Sequence, residues 1–250
     1  MVRKYTPLKM NKRYSDDEAF IEKWNSASAS NRHIIVIDEF GNTGPSHYRE
    51  TKFGYGVSDV NDVKSYVKIS RENRKAHRND EQKAKSSSLW ERFEIALKIR
   101  DTKTKTSCVY VDKNTDVPDY MASHRRSNRI YGVLNDTLEE TLPKYGVVWV
   151  VIDNNTQYIN DSKLKKVCKS YSDKRRTVYG NQYSSKGTSL PSDLLQTNDF
   201  VANAARTEVE LKQPLMSRIL KMHFVHLGKS QKWERRAKGR MVKKWNPGSR

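Results

Sequence analysis

Cysteine is scarce in this sequence, because only Cys108 and Cys168 occur among its 250 residues. Two cysteines so far apart do not form a disulfide framework or a cysteine-rich zinc site. Long apolar runs are also lacking, and none approaches the ~20 residues of a membrane-spanning helix. The basic start of the chain has no apolar segment of the kind found in secretory signals. These absences predict a soluble protein of a reducing compartment, the cytoplasm.

Acidic residues are few compared with basic ones. The chain has 48 Lys and Arg against 29 Asp and Glu, a formal charge of +19, and its isoelectric point is about 9.8. Such an excess attracts polyanions, of which nucleic acid is the commonest. The alternative is that the basic charge only reflects a proteome that is basic in general. A membrane surface is disfavoured because no basic amphipathic helix stands out. The hydrophobic share of 35% allows one domain with a modest core.

The stretch 33–44 combines a strand pattern with two adjacent acids. An aliphatic run rich in β-branched residues ends at Asp38 and Glu39, and Gly41 and Asn42 follow in a turn. A run of this kind is typical of a strand that is buried on both faces. Since burial of a carboxylate is costly, acids at such a strand end are solvated, paired with a cation or bound to a hard metal ion such as Mg²⁺.

Further strands and helices alternate along the chain. Strand patterns cover 51–57, 106–112 and 147–153, and the first of these is predicted to form a hairpin with the strand before Asp38. Helical spacing covers 60–69, 89–100, 129–142 and 191–210. This alternation predicts an α/β protein with some parallel strand pairing.

Three of the predicted strands end at an aspartate, namely Asp38, Asp112 and Asp153, and the last long helix adds Asp199. Functional sites of α/β sheets form at the carboxyl ends of strands. Carboxylates that converge there repel each other unless a divalent cation neutralises them, and Mg²⁺ binds carboxylates together with substrate phosphates. The acids therefore indicate a metal site that acts on phosphodiester bonds.

Four short motifs follow one another in the chain: Asp38-Glu39-Phe40-Gly41, Asp112-Lys113, Asp153 after a Val/Ile strand, and Gln196-Thr197-Asn198-Asp199. In order and separation they resemble DUF3800, a bacterial and archaeal domain of unknown function that is grouped with the ribonuclease H-like superfamily. The resemblance spans about residues 33–210, and residues 195–202 are its most specific part.

The resemblance implies an RNase H-like fold, a mixed sheet flanked by helices whose central first strand carries the leading Asp38. It implies that Asp38, Asp112 and Asp199 bind Mg²⁺ or Mn²⁺, and that Asp112 closes the strand beside Asp38. Glu39 and Asp153 are further catalytic candidates. In this interpretation Gln196 orients Asp199 or contacts substrate.

The domain organisation expected from these patterns has three parts. A basic arm with a short helix covers 1–32, and the RNase H-like domain covers 33–227, with a charged insertion at about 70–88. A basic tail that contains tryptophan covers 228–250. Its cations are expected to meet phosphates and its tryptophans to stack on bases, which adds to the substrate-binding candidates Gln196, Lys113, Lys232, Trp233, Arg235, Arg236, Lys243 and Lys244.

The sequence thus predicts a divalent-metal-dependent nuclease acting on DNA or RNA. The alternative is a nucleic-acid-binding protein, or a ribonucleoprotein subunit with protein partners, that uses the same scaffold without turnover. Convergence of the carboxylates would favour the enzyme, whereas Lys or Arg side chains in their midst would favour binding alone.

Overall fold

The computed structural model describes residues 8–42, 50–77, 83–115, 117–154 and 160–228, and the backbone of 231–235 and 241–245. Its helices, in chain order, are α1 (Glu18–Ser26), α2 (Val63–His77), α3 (Leu89–Asp101), α4 (Arg126–Thr141), α5 (Asp161–Ser170), α6 (Leu190–Leu211) and α7 (Leu215–Leu220). Its strands are β1 (Arg32–Gly41), β2 (Lys52–Val60), β3 (Lys105–Asp112), β4 (Gly146–Asp153), β5 (Arg176–Tyr183), β6 (His223–His226), β7 (Gln231–Arg235) and β8 (Met241–Trp245).

Six strands form one mixed sheet in the order β5-β4-β1-β2-β3-β6. β1 pairs antiparallel with β2, which confirms the predicted hairpin, and β2 pairs antiparallel with β3. On the other side β1, β4 and β5 run parallel. With helices packed on it, this mixed sheet confirms the expectation of an α/β protein. The expectation that β3 lies beside β1 is wrong, because β2 separates the two strands.

Each face of the sheet has its own hydrophobic core. Ile34 and Val36 of β1 face one core, which includes residues of α1, α2, α3 and α6. Ile35 and Ile37 face the other, which includes residues of α4 and α5. The alternation follows from the two-residue period of a strand, and it explains why the run before Asp38 is apolar at every position.

Helix α6 lies very close to the sheet, and a glycine makes this approach possible. A Cβ atom added to Gly56 of β2 would stand 2.5 Å from the Cα atom of Ala202. The buried Asn198 side chain donates to the Gly56 carbonyl at 3.0 Å and accepts from the Ser58 hydroxyl at 2.6 Å. These contacts fix both the height and the rotation of α6 over β1 and β2.

Part of the N-terminal segment packs on the core, where the sequence predicts a basic arm: Leu8, Met10 and Tyr14 contact it. Phe20 and Trp24 of α1 are buried, and the Trp24 ring meets Trp149 of β4 edge to face. Asp17 caps α1, because its Oδ1 accepts from the Phe20 N–H. Burial of two large aromatic rings binds this segment to the sheet.

The charged stretch 70–88 begins within α2 and is not simply solvated. Arg71 and Arg74 of α2 contact the fully buried carboxylate of Asp193 at 2.7 and 2.5 Å.

Near the other end of the chain, β7 and β8 form a two-stranded antiparallel sheet. Among the described residues no helix is long and apolar enough to cross a bilayer.

Candidate carboxylate site

Asp38 and Asp153 are neighbours at the carboxyl ends of two parallel strands. Ile37 of β1 is in register with Ile152 of β4, and each aspartate is the next residue of its strand. Both aspartates point to the face of the sheet that α6 covers. Val36 and Val151, two residues before them, belong to the core on that face, and residues two apart on a strand share a face. The two side chains therefore leave adjacent strands, ~4.8 Å apart, on the same face.

Asp199 joins this pair from the helix that covers the same face. It lies one residue after Asn198, whose hydrogen bonds attach α6 to β2 at Gly56, and Gly56 is directly opposite Asp38 in the β1–β2 register. The Ala84 N–H donates to Asp199 Oδ2 at 2.6 Å. The loop before α3 thus holds one carboxylate oxygen of Asp199 in position.

The electrostatics of Asp38 show that these acids lie close together. Burial raises the pKa of the Asp38 carboxyl well above its usual range, and the negative charges of Asp199, Asp153 and Glu39 raise it further. The Glu39 N–H donates to Asp38 Oδ1 at 2.9 Å, which opposes the rise. We call Asp38, Glu39, Asp153 and Asp199 the carboxylate cluster.

Glu39 belongs to the cluster from the opposite face of the sheet. β1 continues to Gly41, so Glu39 points to the α4 side, and its Oε2 is buried with no hydrogen-bond partner in the described part of the chain. Burial raises the pKa of Glu39 to about 7, the positive charge of Arg126 opposes the rise, and the charge of Asp153 adds to it. Arg126, at the start of α4, contributes positive charge to this side of the cluster.

Asp112 is not brought to the cluster. Asp38 pairs with Gly56 of β2, and Gly56 pairs with Cys108 of β3. Asp112 lies four residues after Cys108, so it is ~13 Å from Asp38 along the strands and ~10 Å across them. Its carboxylate pairs with Lys52 at 3.1 Å. Burial alone would raise the pKa of Asp112, but the Asn114 N–H and the Lys52 ammonium lower it on balance. Asp112 is therefore the partner of Lys52 in an ion pair at the end of β3.

The other predicted site residues have varied surroundings. Gln196 is buried, accepts from Arg74 at 2.6 Å and donates to the Ser185 carbonyl at 2.6 Å, so it connects α2 to the loop before α6. Lys113 donates to the Asn42 carbonyl at 2.9 Å, at the end of the sheet where Asp112 lies. For the tail candidates Lys232, Trp233, Arg235, Lys243 and Lys244 only the backbone is described. Arg236 lies outside the described residues.

Sequence reasoning missed the support that holds α6 in place. Arg71 and Arg74 lie three apart on α2, and Asp193 and Gln196 lie three apart on α6. Equal spacing on two helices is the signal that could have indicated this pairing. Arg126 was missed as well, because nothing local shows that α4 begins near the end of β1.

The donor chemistry of the carboxylate cluster fits a hard divalent cation. Carboxylate oxygens are the ligands that Mg²⁺ and Mn²⁺ prefer, and the like-charge repulsion around Asp38 is what such an ion would relieve. Among the described residues, no three His, Cys, Asp or Glu side chains form a preassembled metal-binding group.

Comparisons with known proteins give no match, either to a protein-family model or to a curated protein. The resemblance to DUF3800 therefore stays a prediction from motifs.

Proposed function

We propose that the protein is a divalent-metal-dependent nuclease whose carboxylate cluster hydrolyses phosphodiester bonds. The observation that carries the proposal is that Asp38 and Asp153 lie side by side at the carboxyl ends of two parallel strands, with the charge of Asp199 from the covering helix acting on Asp38. This arrangement agrees with what the motifs imply, a first strand inside the sheet that bears the leading aspartate and a last helix that completes the site. Asp153 takes the position that the sequence had assigned to Asp112.

In this proposal Asp38, Asp153 and Asp199 hold the metal. A divalent ion bound there supplies Lewis-acid stabilisation to the phosphoryl oxygens. The Ala84 N–H keeps the Asp199 carboxylate oriented, and Asn198 keeps α6 at the height that this orientation needs. Both contacts exist without substrate, so they fix the position of Asp199 and of α6, whereas the carboxylates themselves would close on the metal when it binds.

Positive charge accounts for substrate attraction. The net charge of +19 draws a phosphate backbone toward the protein. Close to the cluster, Arg126 is exposed at the start of α4 and is within electrostatic reach of Glu39. We assign it to contact a phosphate next to the cleaved one, since a guanidinium binds phosphate oxygens in a bidentate manner.

A nuclease assay on single- and double-stranded DNA and RNA, with Mg²⁺, Mn²⁺ or EDTA, tests the proposal. Asp38→Asn and Asp199→Asn should abolish metal-dependent cleavage. Asp112→Asn is the matched control, because it also removes an aspartate from a strand end, and it should keep most of the activity. Tight, salt-sensitive binding without cleavage in any metal would overturn the nuclease assignment and leave a binding scaffold.

A further inference from the structure

Trp90 is a large aromatic side chain on the surface, although it lies near the carboxylate cluster in the chain. It is 67% exposed, and the neighbouring Leu89 is 62% exposed. Both begin α3, directly after the loop whose Ala84 N–H binds Asp199. Trp90 follows Ala84 by six positions, so the chain limits the distance between them to at most about 22 Å.

The start of α3 is held rigidly. Ser88 and Glu91 form a capping box, His77 at the end of α2 contacts Glu91 at 2.9 Å, and Arg92 reaches Asn203 of α6 at 3.4 Å. Asn203 lies about one helical turn beyond Asp199. The first turn of α3 is therefore fixed to the same helix that carries the candidate metal ligand.

One face of the Trp90 ring is supported and the other is available. The ring stacks on Phe93 with centroids 5.5 Å apart and planes 19° from parallel, and Phe93 packs on the core. A supported aromatic face loses little entropy when a second flat group stacks on it. Exposed cations flank Ala84 on both sides, at Lys83 and Lys85, so the surroundings favour a flat group that is attached to a polyanion.

We propose that Trp90 is a stacking platform for an unpaired base of a single-stranded nucleic acid whose backbone runs past Lys83 and Lys85 to the carboxylate cluster. This inference rests on the proposed function. Bases in a duplex already stack on their neighbours, so only a single strand or a frayed end offers a free base. At the 3.4 Å spacing of a stacked strand, this upper limit of about 22 Å corresponds to at most about six or seven nucleotides between Ala84 and Trp90.

Fluorescence anisotropy with labelled 12-nucleotide oligothymidine and oligouridine, and a 12-base-pair duplex, tests the platform in EDTA, so that binding is measured without cleavage. Trp90→Ala should weaken single-strand binding about tenfold, within the range for loss of one stacked base, and leave duplex binding unchanged. Trp90→Phe should restore most of it. Tyr145→Ala is the matched control, because Tyr145 is 62% exposed and lies before β4, at the opposite end of the sheet.

An oligonucleotide without bases separates stacking from charge. It should bind the wild type as weakly as oligothymidine binds Trp90→Ala, and Trp90→Ala should weaken it no further. Equal affinity of wild type and Trp90→Ala for oligothymidine would overturn the platform, as would the same loss with the duplex. A change of oligomeric state in Trp90→Ala, with unaltered binding, would overturn it in favour of a contact between copies of the chain.

The platform and the nuclease assignment fail separately. Cleavage by the wild type with unaltered binding by Trp90→Ala refutes the platform alone. Weaker single-strand binding by Trp90→Ala, with no cleavage in any metal, refutes the nuclease assignment and supports the platform.

Discussion

Replacement of Glu39 by glutamine should make the metal-free protein increasingly stable relative to wild type as the pH rises. The pKa of Glu39 is raised from 4.5 to about 7 in the folded protein, so the folded state binds this proton more tightly than the unfolded chain. Its contribution to stability is therefore lost as the pH rises from 4.5 through 7. Above pH 7 the folded protein contains a buried carboxylate, and Oε2 has no hydrogen-bond partner among the described residues.

The magnitude follows from the difference in pKa. A rise of about 2.5 units corresponds to at most ~3.4 kcal/mol at high pH, and to about 2.5 kcal/mol between pH 5 and pH 8. Glutamine keeps the shape but leaves amide hydrogens to be satisfied, and this cost does not depend on pH. The difference between the two pH values is thus the informative quantity, because the constant cost cancels.

Urea unfolding in EDTA at pH 5 and pH 8 measures this quantity. The stability of Glu39→Gln relative to wild type should increase by about 2.5 kcal/mol from the lower to the higher pH. Glu94→Gln, an exposed glutamate on α3, is the control and should show no such increase. The same relative stability of Glu39→Gln at both pH values would refute the argument that burial and the charge of Asp153 destabilise this carboxylate.

Three other substitutions test the surroundings of the cluster. Asp193→Asn should lower the free energy of unfolding by about 3 kcal/mol or more, because Arg74 loses a buried partner; a fall below 1 kcal/mol in urea unfolding would contradict this. Gly56→Ala should cost about 1–3 kcal/mol in the same assay, since its Cβ would meet α6 at 2.5 Å, and wild-type stability would show that α6 moves freely. Mg²⁺ at a hundredfold excess over its Kd should stabilise wild type and Asp112→Asn by about 2.7 kcal/mol but not Asp38→Asn, measured by thermal unfolding; equal stabilisation of all three would exclude Asp38 as a ligand.

The secondary structure and its chemistry were largely readable from the sequence. The apolar run before Asp38, the Val/Ile run before Asp153 and the stripe of α6 are strong local patterns, and each predicted element is present, although α2 extends eight residues beyond the predicted end at 69. The spacing of apolar residues along the sequence indicates which face of a helix or strand is buried. The carboxylates at strand ends and their order in the chain were visible for the same reason.

The identity of strand neighbours is a property of tertiary structure. Asp112 and Asp153 both close apolar strands and look alike in sequence, but hairpin pairing places β2 between β1 and β3, while β4 pairs directly with β1. Strand pairing depends on contacts between residues distant in the chain, so no local pattern distinguishes the two aspartates. Glu39 is a similar case, since its side of the sheet depended on whether β1 ended at Asp38 or continued.

The sequence by itself determined the elements, their apolar faces and a set of acids at strand ends. Only the tertiary structure decided which acids meet, because Asp153 is joined to Asp38 by parallel pairing and Asp199 is brought to them by the close approach of α6 over Gly56. It also decided that the largely buried Arg74 side chain, together with the partly exposed Arg71, pairs with the buried carboxylate of Asp193. Charge and apolarity are properties of single residues, whereas a site is a property of distances, and those are set by packing.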